Sequence, residues 1–264
     1  MIKVLGNNIV NAFTGGNPVN AIYSYGQLVW ERNTTKIIYT SKDGQVVNPY
    51  DSTVFGGANI LSNTYSNGVG VIEFDSSVTE IGQNAFKNTK QLDTMILPSS
   101  VTYIKSYAFQ SSGITDITIP PTVTDISSGA FFLSELISIV IPASVKRMGG
   151  SVFLGCHSLT NVSISTSLIL LDNSMFSGCK SLVSITIPDN ITSIGNGLFY
   201  NCSNLSEIRF DSIVPPKVLL GTDETEHLFE GNASGRLIKV PAGSVNAYKT
   251  ATGWSNYADS IVSQ

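Results

Sequence analysis

Residues 78–100 read VTEIGQNAFKNTKQLDTMILPSS, and residues 101–122 read VTYIKSYAFQSSGITDITIPPT. Each segment opens with Val-Thr, has an Ile three residues after the Val, an Ala-Phe pair near its middle and an aliphatic residue followed by Pro near its end. The Phe recurs at intervals of 22 or 23 residues, at Phe86, Phe109, Phe131, Phe153, Phe176 and Phe199. A fixed period of this length is typical of repeat proteins whose units stack into a solenoid.

A single unit contains a short strand and a turn. Alternating apolar and polar residues, as in Ile117-Thr118-Ile119, predict a strand with one buried face. Pro120 ends that strand because proline has no N–H to donate to a neighbouring strand. The Ala-Phe segment predicts one helical or 3₁₀ turn that directs the ring inward. Because one unit cannot cover its own apolar edge, we expect the units to stack with parallel strands ~4.8 Å apart.

The repeats resemble the BspA-like, or Treponema-type, leucine-rich repeats of bacterial surface proteins. The pattern of that family is approximately V-T-x-I-x-x-x-A-F-x-x-C-x-x-L-x-x-I-x-I-P, and residues 78–210 follow it almost throughout. We number the six repeats as coils one to six, from the coil that holds Phe86 to the coil that holds Phe199. Coil four departs from the pattern with Ser165 in place of Pro, and coil five departs with Leu168-Ile169-Leu170-Leu171 in place of V-T-x-I. The resemblance implies an α/β leucine-rich-repeat solenoid, with a ladder of short parallel strands on one face, helical or 3₁₀ turns on the other and a cap at each end. It also implies a non-enzymatic protein-binding or adhesion module displayed on a surface.

The six repeats, residues 78–212, are flanked by segments that predict caps, which a solenoid needs to cover its end coils. Residues 36–77 predict a hairpin, with residues 37–39 paired to residues 45–47, and then a half repeat ending near Asp75. Residues 213–264 predict an irregular loop, a final strand from Leu237 and a short helix with Ser244 as its N-cap.

Residues 1–35 form an apolar, strand-rich segment outside the repeat pattern. Within it, residues 21–30 resemble short β modules of phage tail and baseplate-associated proteins. Two interpretations stay open: an extra hairpin packed on the cap, or an attachment module that joins the chain to a virion subunit or into a homo-oligomer. The second implies an alternative function, a structural component of a phage tail or capsid appendage that also contacts the host.

The composition disfavours two classes of partner. The net charge is −4 and no basic stripe is present, which argues against a nucleic-acid partner. No apolar stretch reaches the ~18 residues that a membrane-spanning helix needs, so we expect no membrane insertion. The first residues also lack the apolar core of a secretory signal, so either the chain is assembled in the cytosol or a leader has been removed. Virion and bacterial cell surface both remain open as locations.

Candidate reactive groups are few. The three cysteines each lie three positions after a repeat Phe, where earlier coils carry Thr or Ser (Cys156, Cys179, Cys202; Thr89, Ser112, Ser134). We therefore predict packed, free thiols instead of a disulfide or metal site. His157 is predicted to face solvent, and His227 follows the acidic residues 223–226, where a divalent ion is the less favoured alternative. Without converging titratable groups or a catalytic motif, we expect no enzyme, no catalytic or metal residue and no cofactor.

Strand alternation defines one candidate binding face. The outward positions that we select as candidates are Ile96, Asp116, Thr118, Val140, Asn161, Ser163, Glu207 and Arg209. This face is rich in hydroxyl groups and has no aromatic residue, which disfavours carbohydrate recognition. The alternative interpretation is that hydroxyl-bearing side chains simply suit a strand face that meets water.

A second candidate is an apolar patch away from the strands. Its predicted members are Phe132, Leu133, Leu154, Ile169 and Leu170, which stand where other coils carry polar residues. Exposed apolar clusters are typical of contact surfaces, so we predict a protein partner here, either a host surface protein or a virion subunit. Loose local packing or a shifted register is the alternative.

Overall fold

The computed structural model describes residues 33–219 and 227–264 in full, and within residues 1–32 the backbone of five strands. In chain order the strands are β1 (Ile2–Leu5), β2 (Ile9–Thr14), β3 (Asn17–Pro18), β4 (Ala21–Ser24), β5 (Gln27–Glu31), β6 (Lys36–Ser41), β7 (Ile60–Ser66), β8 (Val69–Phe74), β9 (Glu80–Ile81), β10 (Leu92–Ile96), β11 (Tyr103–Ile104), β12 (Asp116–Thr118), β13 (Asp125–Ile126), β14 (Ser138–Val140), β15 (Arg147–Met148), β16 (Asn161–Ser163), β17 (Leu170–Leu171), β18 (Ser184–Ile187), β19 (Ser193–Gly195), β20 (Glu207–Phe210), β21 (Lys217–Leu219), β22 (Leu237–Val240) and β23 (Ile261–Ser263). The helix α1 (Val245–Thr250) lies between 3₁₀ helices at Ala242–Ser244 and Ser255–Ser260.

Two columns of parallel strands run along the solenoid. The first ladder contains β10, β12, β14, β16, β18, β20 and β22, and the second ladder contains β9, β11, β13, β15, β17, β19 and β21. Equivalent residues lie side by side: Ile208 pairs with Ile185 and Ile238 in the first ladder, and Ile104 pairs with Ile81 and Ile126 in the second. The predicted leucine-rich-repeat solenoid is therefore confirmed.

The third side of each coil, which we call the turn edge, carries the repeat Phe. Its amides alternate between two kinds of acceptor. Ala85 and Lys87 donate to carbonyls three residues earlier in their own coil, whereas Phe86 and Asn88 donate to carbonyls of the next coil. The turn edge is thus a run of tight turns that is also bonded from coil to coil.

The repeat Phe side chains form one continuous buried column. From Phe86 to Phe199 the successive rings are stacked, with centroids 5.2–5.7 Å apart and planes within 6–12° of parallel. All of these rings are fully buried or nearly so. Contacts of this kind contribute about 0.5–1.5 kcal/mol each beyond the burial of apolar area. The predicted alignment of the repeat Phe residues is confirmed.

The N-terminal cap differs from the prediction. The hairpin predicted across residues 36–47 is wrong, because β6 lies antiparallel between β8 and β10 instead. The actual hairpin joins β7 to β8 through Asn67 and Gly68, whose φ values of 52° and 82° suit the tight turn that an Asn-Gly pair favours.

Insertion of β6 also corrects one surface prediction. Ile96, predicted on the exposed strand face, is buried and lies opposite Ile38, which is buried as well. Because β6 pairs with β10 and places Ile38 opposite Ile96, Ile96 is not available at the surface of the first ladder.

The C-terminal cap continues the solenoid further than the sequence period indicates. Phe229 stacks on Phe199 at 6.0 Å, β21 extends the second ladder, and β22, the predicted final strand, is confirmed in the first. A further strand, β23, then pairs in parallel with β22. Ser244 is the N-cap residue of α1, as predicted, but its hydroxyl donates to the carbonyl of Pro241 and makes no capping hydrogen bond to the helix.

Trp254 closes the C-terminal end of the core. Its indole N–H donates to the carbonyl of Pro216 at 2.8 Å, and its ring meets Phe210 edge-on at 4.9 Å. The buried aromatic ring covers the last coil, and its polar edge is satisfied, as burial of an indole requires.

Candidate functional site

The first-ladder face shows most of the predicted strand residues at its surface. Exposed are Val140, Asn161, Ser163 and Arg209, and partly buried are Asp116, Thr118 and Glu207. Beside them a row of hydroxyl groups donates to carbonyls of the preceding coil, for example Thr115 to Asp93 and Thr160 to Ile137. These hydrogen bonds are made within the ladder, so the hydroxyl groups already have partners before any ligand arrives.

The charged residues at the end of this face are also paired. Glu207 accepts a salt bridge from Lys239 at 2.8 Å, and Arg209 Nε donates to Asp211 Oδ1 at 2.7 Å. Among the described candidates on this face, Val140 is the apolar residue most open to solvent, with 68% of its surface exposed.

The turn edge brings three of the predicted contact residues together. The Leu133 amide donates to the carbonyl of Leu154 at 2.8 Å, so coils three and four place these residues side by side. Leu133 is exposed, and Phe132 and Leu154 are half-buried. We call Phe132, Leu133 and Leu154 the turn-edge patch.

Leu133 occupies a backbone conformation that its side chain disfavours. The residue two positions after each repeat Phe has a positive φ, and this position holds Asn88, Ser111, Leu133, Gly155, Gly178, Asn201 and Gly231. Leu133 adopts a φ of 56°, a left-handed conformation that disfavours an ordinary side chain by about 1–2 kcal/mol relative to the right-handed one. The next coil has Gly155 below it, where a Cβ would collide with Leu133 Cδ2. The absence of a side chain at Gly155 in coil four thus leaves room for the exposed side chain of Leu133 in coil three.

Ile169 and Leu170 lie elsewhere, on the second ladder. They line a groove of about 610 Å³ together with Asp125, Lys146 and Arg147. No member of the turn-edge patch lines this groove, so the predicted patch divides into two separate surfaces. We call it the second-ladder groove; the sequence pattern does not predict it, because the strands of the second ladder, two or three residues long, are too short to show an alternation.

Two ion pairs lie along the second ladder. Arg147 Nε donates to Asp125 Oδ1, and Lys105 lies 3.4 Å from Glu80 and 4.8 Å from the centre of the Tyr103 ring. Burial acts to raise the pKa of Asp125, but hydrogen bonds from Arg147 and Thr124 outweigh it, so this pKa lies below its usual value. The Asp125 carboxylate therefore stays ionised beside the groove.

The cysteines pack inside the solenoid, as predicted. All three are free and buried, and each thiol donates to a repeat Phe carbonyl of the preceding coil, for example Cys156 to Phe131 at 3.0 Å. Burial raises the pKa of Cys156 and of Cys202 to about 12. Neutral thiols in such a setting are poor nucleophiles.

The histidines stand apart from each other. His157 is exposed, as predicted, with its Nδ1 2.9 Å from the carbonyl oxygen of Gly178. His227 interacts with Glu230, while the acidic residues 223–226 lie outside the described residues. Within residues 33–219 and 227–264, no three His, Cys, Asp or Glu side chains are grouped so that they could hold a metal ion.

Two further predictions concern membranes and the N-terminus. In the described part of the chain, no helix has the length and apolar character needed to cross a bilayer. The attachment and homo-oligomer predictions for residues 1–35 fall mainly on residues 1–32, whose side chains lie outside the described residues.

Several solved structures are similar to this chain. The pneumococcal vaccine antigen PcpA is 20% identical, with a TM-score of 0.51 over 70% of this chain and 54% of its own length. A leucine-rich repeat protein from Bacteroides ovatus is 20% identical (TM-score 0.45, covering 92% of this chain and 71% of that one). The leucine-rich repeat protein of T. pallidum is 23% identical (TM-score 0.47, covering 64% and 86%). This chain thus spans about half the length of PcpA, and the similarity to PcpA shows a shared fold.

No curated protein matches the chain by sequence. The family described as BspA type leucine rich repeat region, in six copies, matches residues 58–169 and 125–215. These ranges together cover more than half of the 264 residues, and the chain therefore belongs to the BspA-type leucine-rich-repeat family.

Proposed function

We propose that this chain is a non-enzymatic protein-binding module of a bacterial cell surface, and that it adheres to a host surface protein through the turn-edge patch. The observation that carries the proposal is Leu133, an exposed leucine in a left-handed conformation. Asn or Gly at that position would adopt the left-handed conformation at a lower cost, and coils one, four, five and six carry these residues there (Asn88, Gly155, Gly178 and Asn201). A residue that opposes folding and faces solvent is best explained by a contact with a partner.

The neighbours of Leu133 supply the rest of a contact surface. Phe132 and Leu154 stand where the flanking coils carry Gln110 and Ser177, so from coil two to coil five the apolar side chains at this position are confined to coils three and four. Large apolar side chains clustered on a rigid scaffold are typical of the residues that contribute most to protein–protein binding. The hydrogen bonds of the turn edge fix the backbone of these residues before binding, which lowers the entropy lost on association.

The surface location is supported by PcpA, which is a vaccine antigen and shares the fold. The non-enzymatic part of the proposal is supported by the neutral, buried thiols and by the ion pairs Arg147–Asp125 and Lys239–Glu207. A role as a virion appendage would depend on residues 1–35, and the fully described residues offer no observation in its favour.

The test uses fluorescently labelled protein and cultured mammalian epithelial cells. We expect saturable binding that is abolished when the cells are first treated with trypsin, since the proposed receptor is a protein. The double variant Phe132→Asp/Leu154→Asp should bind at least about tenfold more weakly, because each truncated apolar anchor typically contributes more than ~1 kcal/mol.

The matched control is Gln110→Asp/Ser177→Asp, which adds the same two charges to the same positions of the flanking coils. This control should bind like the wild type, and both variants should melt within a few degrees of it. Binding that survives trypsin treatment, or that the patch variant leaves unchanged, would reject the proposal.

A further inference from the structure

The second ladder follows a repeated hydrogen-bond pattern that two adjacent coils break. Thr102, Thr124 and Thr192 each donate a side-chain hydroxyl to the carbonyl of the equivalent residue in the preceding coil. Coils four and five carry Lys146 and Ile169 at this position, and neither side chain can make that bond in the same way. The side chains that replace Thr are long or apolar, and both are exposed.

The next position varies along the ladder, from Glu80 and Tyr103 to Asp125, and coils four and five also carry large side chains there. Arg147 and Leu170 project there, where the following coil has only Ser193. Just beyond, coil four has Gly149 and Gly150 in place of the side chains that the flanking coils carry (Ser127, Ser128; Asp172, Asn173). A Cβ on Gly149 would collide with the Ser128 side chain and backbone, so the floor of the groove is formed by closely packed main chain.

The groove is as long as a short stretch of extended peptide. Its lining extends from Ser106 in coil two to Leu170 in coil five, a distance of roughly 14 Å across three spacings of ~4.8 Å. An extended chain rises ~3.4 Å per residue, so about four residues would fill this length. The volume of about 610 Å³ lies within the ~300–1,000 Å³ that is usual for ligand sites.

One wall of the groove is cationic. Lys146 forms no ion pair among the described residues. Arg147 uses Nε on Asp125, and because its side chain is 77% exposed, its other guanidinium N–H groups face solvent. The lining therefore holds two cations against one carboxylate, and that carboxylate already has a partner.

The part of the lining that comes from the next coil is aliphatic. Ile169 exposes 63% of its surface, and Leu170 lies beside it, half-buried. A sugar ring would be better matched by an aromatic platform, and the exposed Tyr103 does not line the groove. A ligand with a carboxylate next to an aliphatic side chain could contact both the cations and the aliphatic residues of the lining.

We propose that the second-ladder groove binds an extended peptide segment, with an acidic side chain against Lys146 and Arg147 and an aliphatic side chain against Ile169 and Leu170. This site shares no residue with the turn-edge patch and is tested with a different probe. A negative result for this site would therefore not count against the proposed adhesion, and the reverse also holds.

The first experiment is an NMR titration of the full chain with acetyl-Leu-Glu-Leu-Glu-amide. We expect shifts of the amide signals of residues 125–128, 146–149 and 169–170. Two control peptides remove one feature each: acetyl-Leu-Gln-Leu-Gln-amide lacks the charge, and acetyl-Ser-Glu-Ser-Glu-amide lacks the aliphatic side chains. Each control should bind at least about threefold more weakly, as expected for the loss of exposed ion pairs or of one apolar contact.

Variants that restore the repeat pattern keep the fold while removing the site. Ile169→Thr/Leu170→Ser introduces the pair found in the next coil, and Lys146→Thr introduces the residue of coil three. Each should weaken the Leu-Glu peptide at least about threefold. The matched controls Val183→Thr and Lys180→Thr, which remove an exposed valine and a lysine elsewhere, should leave the affinity unchanged.

Three results would overturn the proposal. The Leu-Glu peptide could cause no shift in the groove, or the restoring variants could bind it as well as the wild type does. Stronger binding of methyl glucuronide in the same groove would instead assign the site to an acidic sugar.

Discussion

Phe131 and Phe132 are neighbours in the chain, but Phe131 belongs to the buried column of rings and Phe132 to the surface of the turn edge. Phe131 is one ring in a column that every coil repeats, and it is fully buried between Phe109 and Phe153. Phe132 lies on the turn edge, where the equivalent residues change from coil to coil. The difference suggests that repetition marks residues needed for stacking, whereas departures from it mark residues available for binding.

The largest expected effect separates these two neighbours directly. Phe131→Ala should lower the free energy of unfolding by about 3–5 kcal/mol, because it leaves a cavity between two stacked rings. Phe132→Ala should lower it by less than about 1 kcal/mol, since its side chain is only half-buried. Urea unfolding followed by circular dichroism measures both values. Equal losses in the two variants would contradict the division.

The next effect concerns the buried thiols beneath the turn edge. The pKa of Cys156 is about 12 in the folded chain against an ordinary value of 9.0, so the unfolded chain loses this proton first as pH rises. Stability from this group is therefore complete below pH ~9 and is lost progressively between pH ~9 and ~12.

The matched variant for this effect is Cys156→Ser, since Ser112 and Ser134 hold the same position in earlier coils. Between pH 8 and pH 10 the wild type should lose roughly 1.4 kcal/mol more stability than this variant does. Tyr248, whose pKa is also raised by burial, titrates in both proteins and so does not affect the difference. Identical pH dependence in the two proteins would show that Cys156 is not buried as described.

A smaller effect, of opposite sign, is expected at Leu133. Leu133→Asn should raise the free energy of unfolding by about 0.5–1 kcal/mol, because Asn tolerates a left-handed backbone. Asn88 and Asn201 already hold this position in coils one and six. Ser111→Asn makes the same backbone change in coil two, where φ is 53°, and is the positive control that should raise the free energy of unfolding by a similar amount. A loss of stability in Leu133→Asn would argue that Leu133 serves packing.

The smallest effect is predicted on the first ladder. Val140 is largely exposed, and hydroxyl-bearing residues hold most of the neighbouring positions. Val140→Thr should therefore change the free energy of unfolding by no more than about 0.5 kcal/mol. It should also leave cell binding unchanged, because it lies outside both proposed sites. A clear loss of binding in this variant would move the contact surface to the first ladder.

The interior of the solenoid was predictable from the sequence because every coil repeats the same apolar positions. The prediction ended where the spacing changed: Phe229 lies 30 residues after Phe199 (229 − 199 = 30) yet joins the same column. Most of the additional length follows β21: Val218 lies 24 residues after its partner Ile194 (218 − 194 = 24) but 11 residues before Phe229 (229 − 218 = 11), whereas Ile194 lies five before Phe199 (199 − 194 = 5). A search for a fixed period therefore misses Phe229, although its ring packs in the same column as the others.

The N-terminal cap required information that periodicity does not contain. The pairing of β6 with β10 joins Ile38 to Ile96 across 58 residues (96 − 38 = 58), and no local pattern specifies such a register. The hairpin at Asn67 and Gly68 is different, because the Asn-Gly pair is a local signal from which it could be predicted.

The two candidate surfaces were predictable to different degrees. Leu133 stands out in the sequence, since the other coils carry Gly, Asn or Ser at its position. The second-ladder groove required the structure, because its walls come from different strands and its floor depends on Gly149. The sequence predicts Ile169 and Leu170 as contact residues, but no pattern singles out Lys146 and Arg147 beside them.

The most direct test of the central claim is to measure how Leu133→Asn binds epithelial cells, with its stability determined on the same sample. If the turn-edge patch departs from the repeat in order to bind a partner, this variant should be more stable than the wild type and should bind several-fold more weakly. A variant that is more stable and binds as well as the wild type would contradict the account.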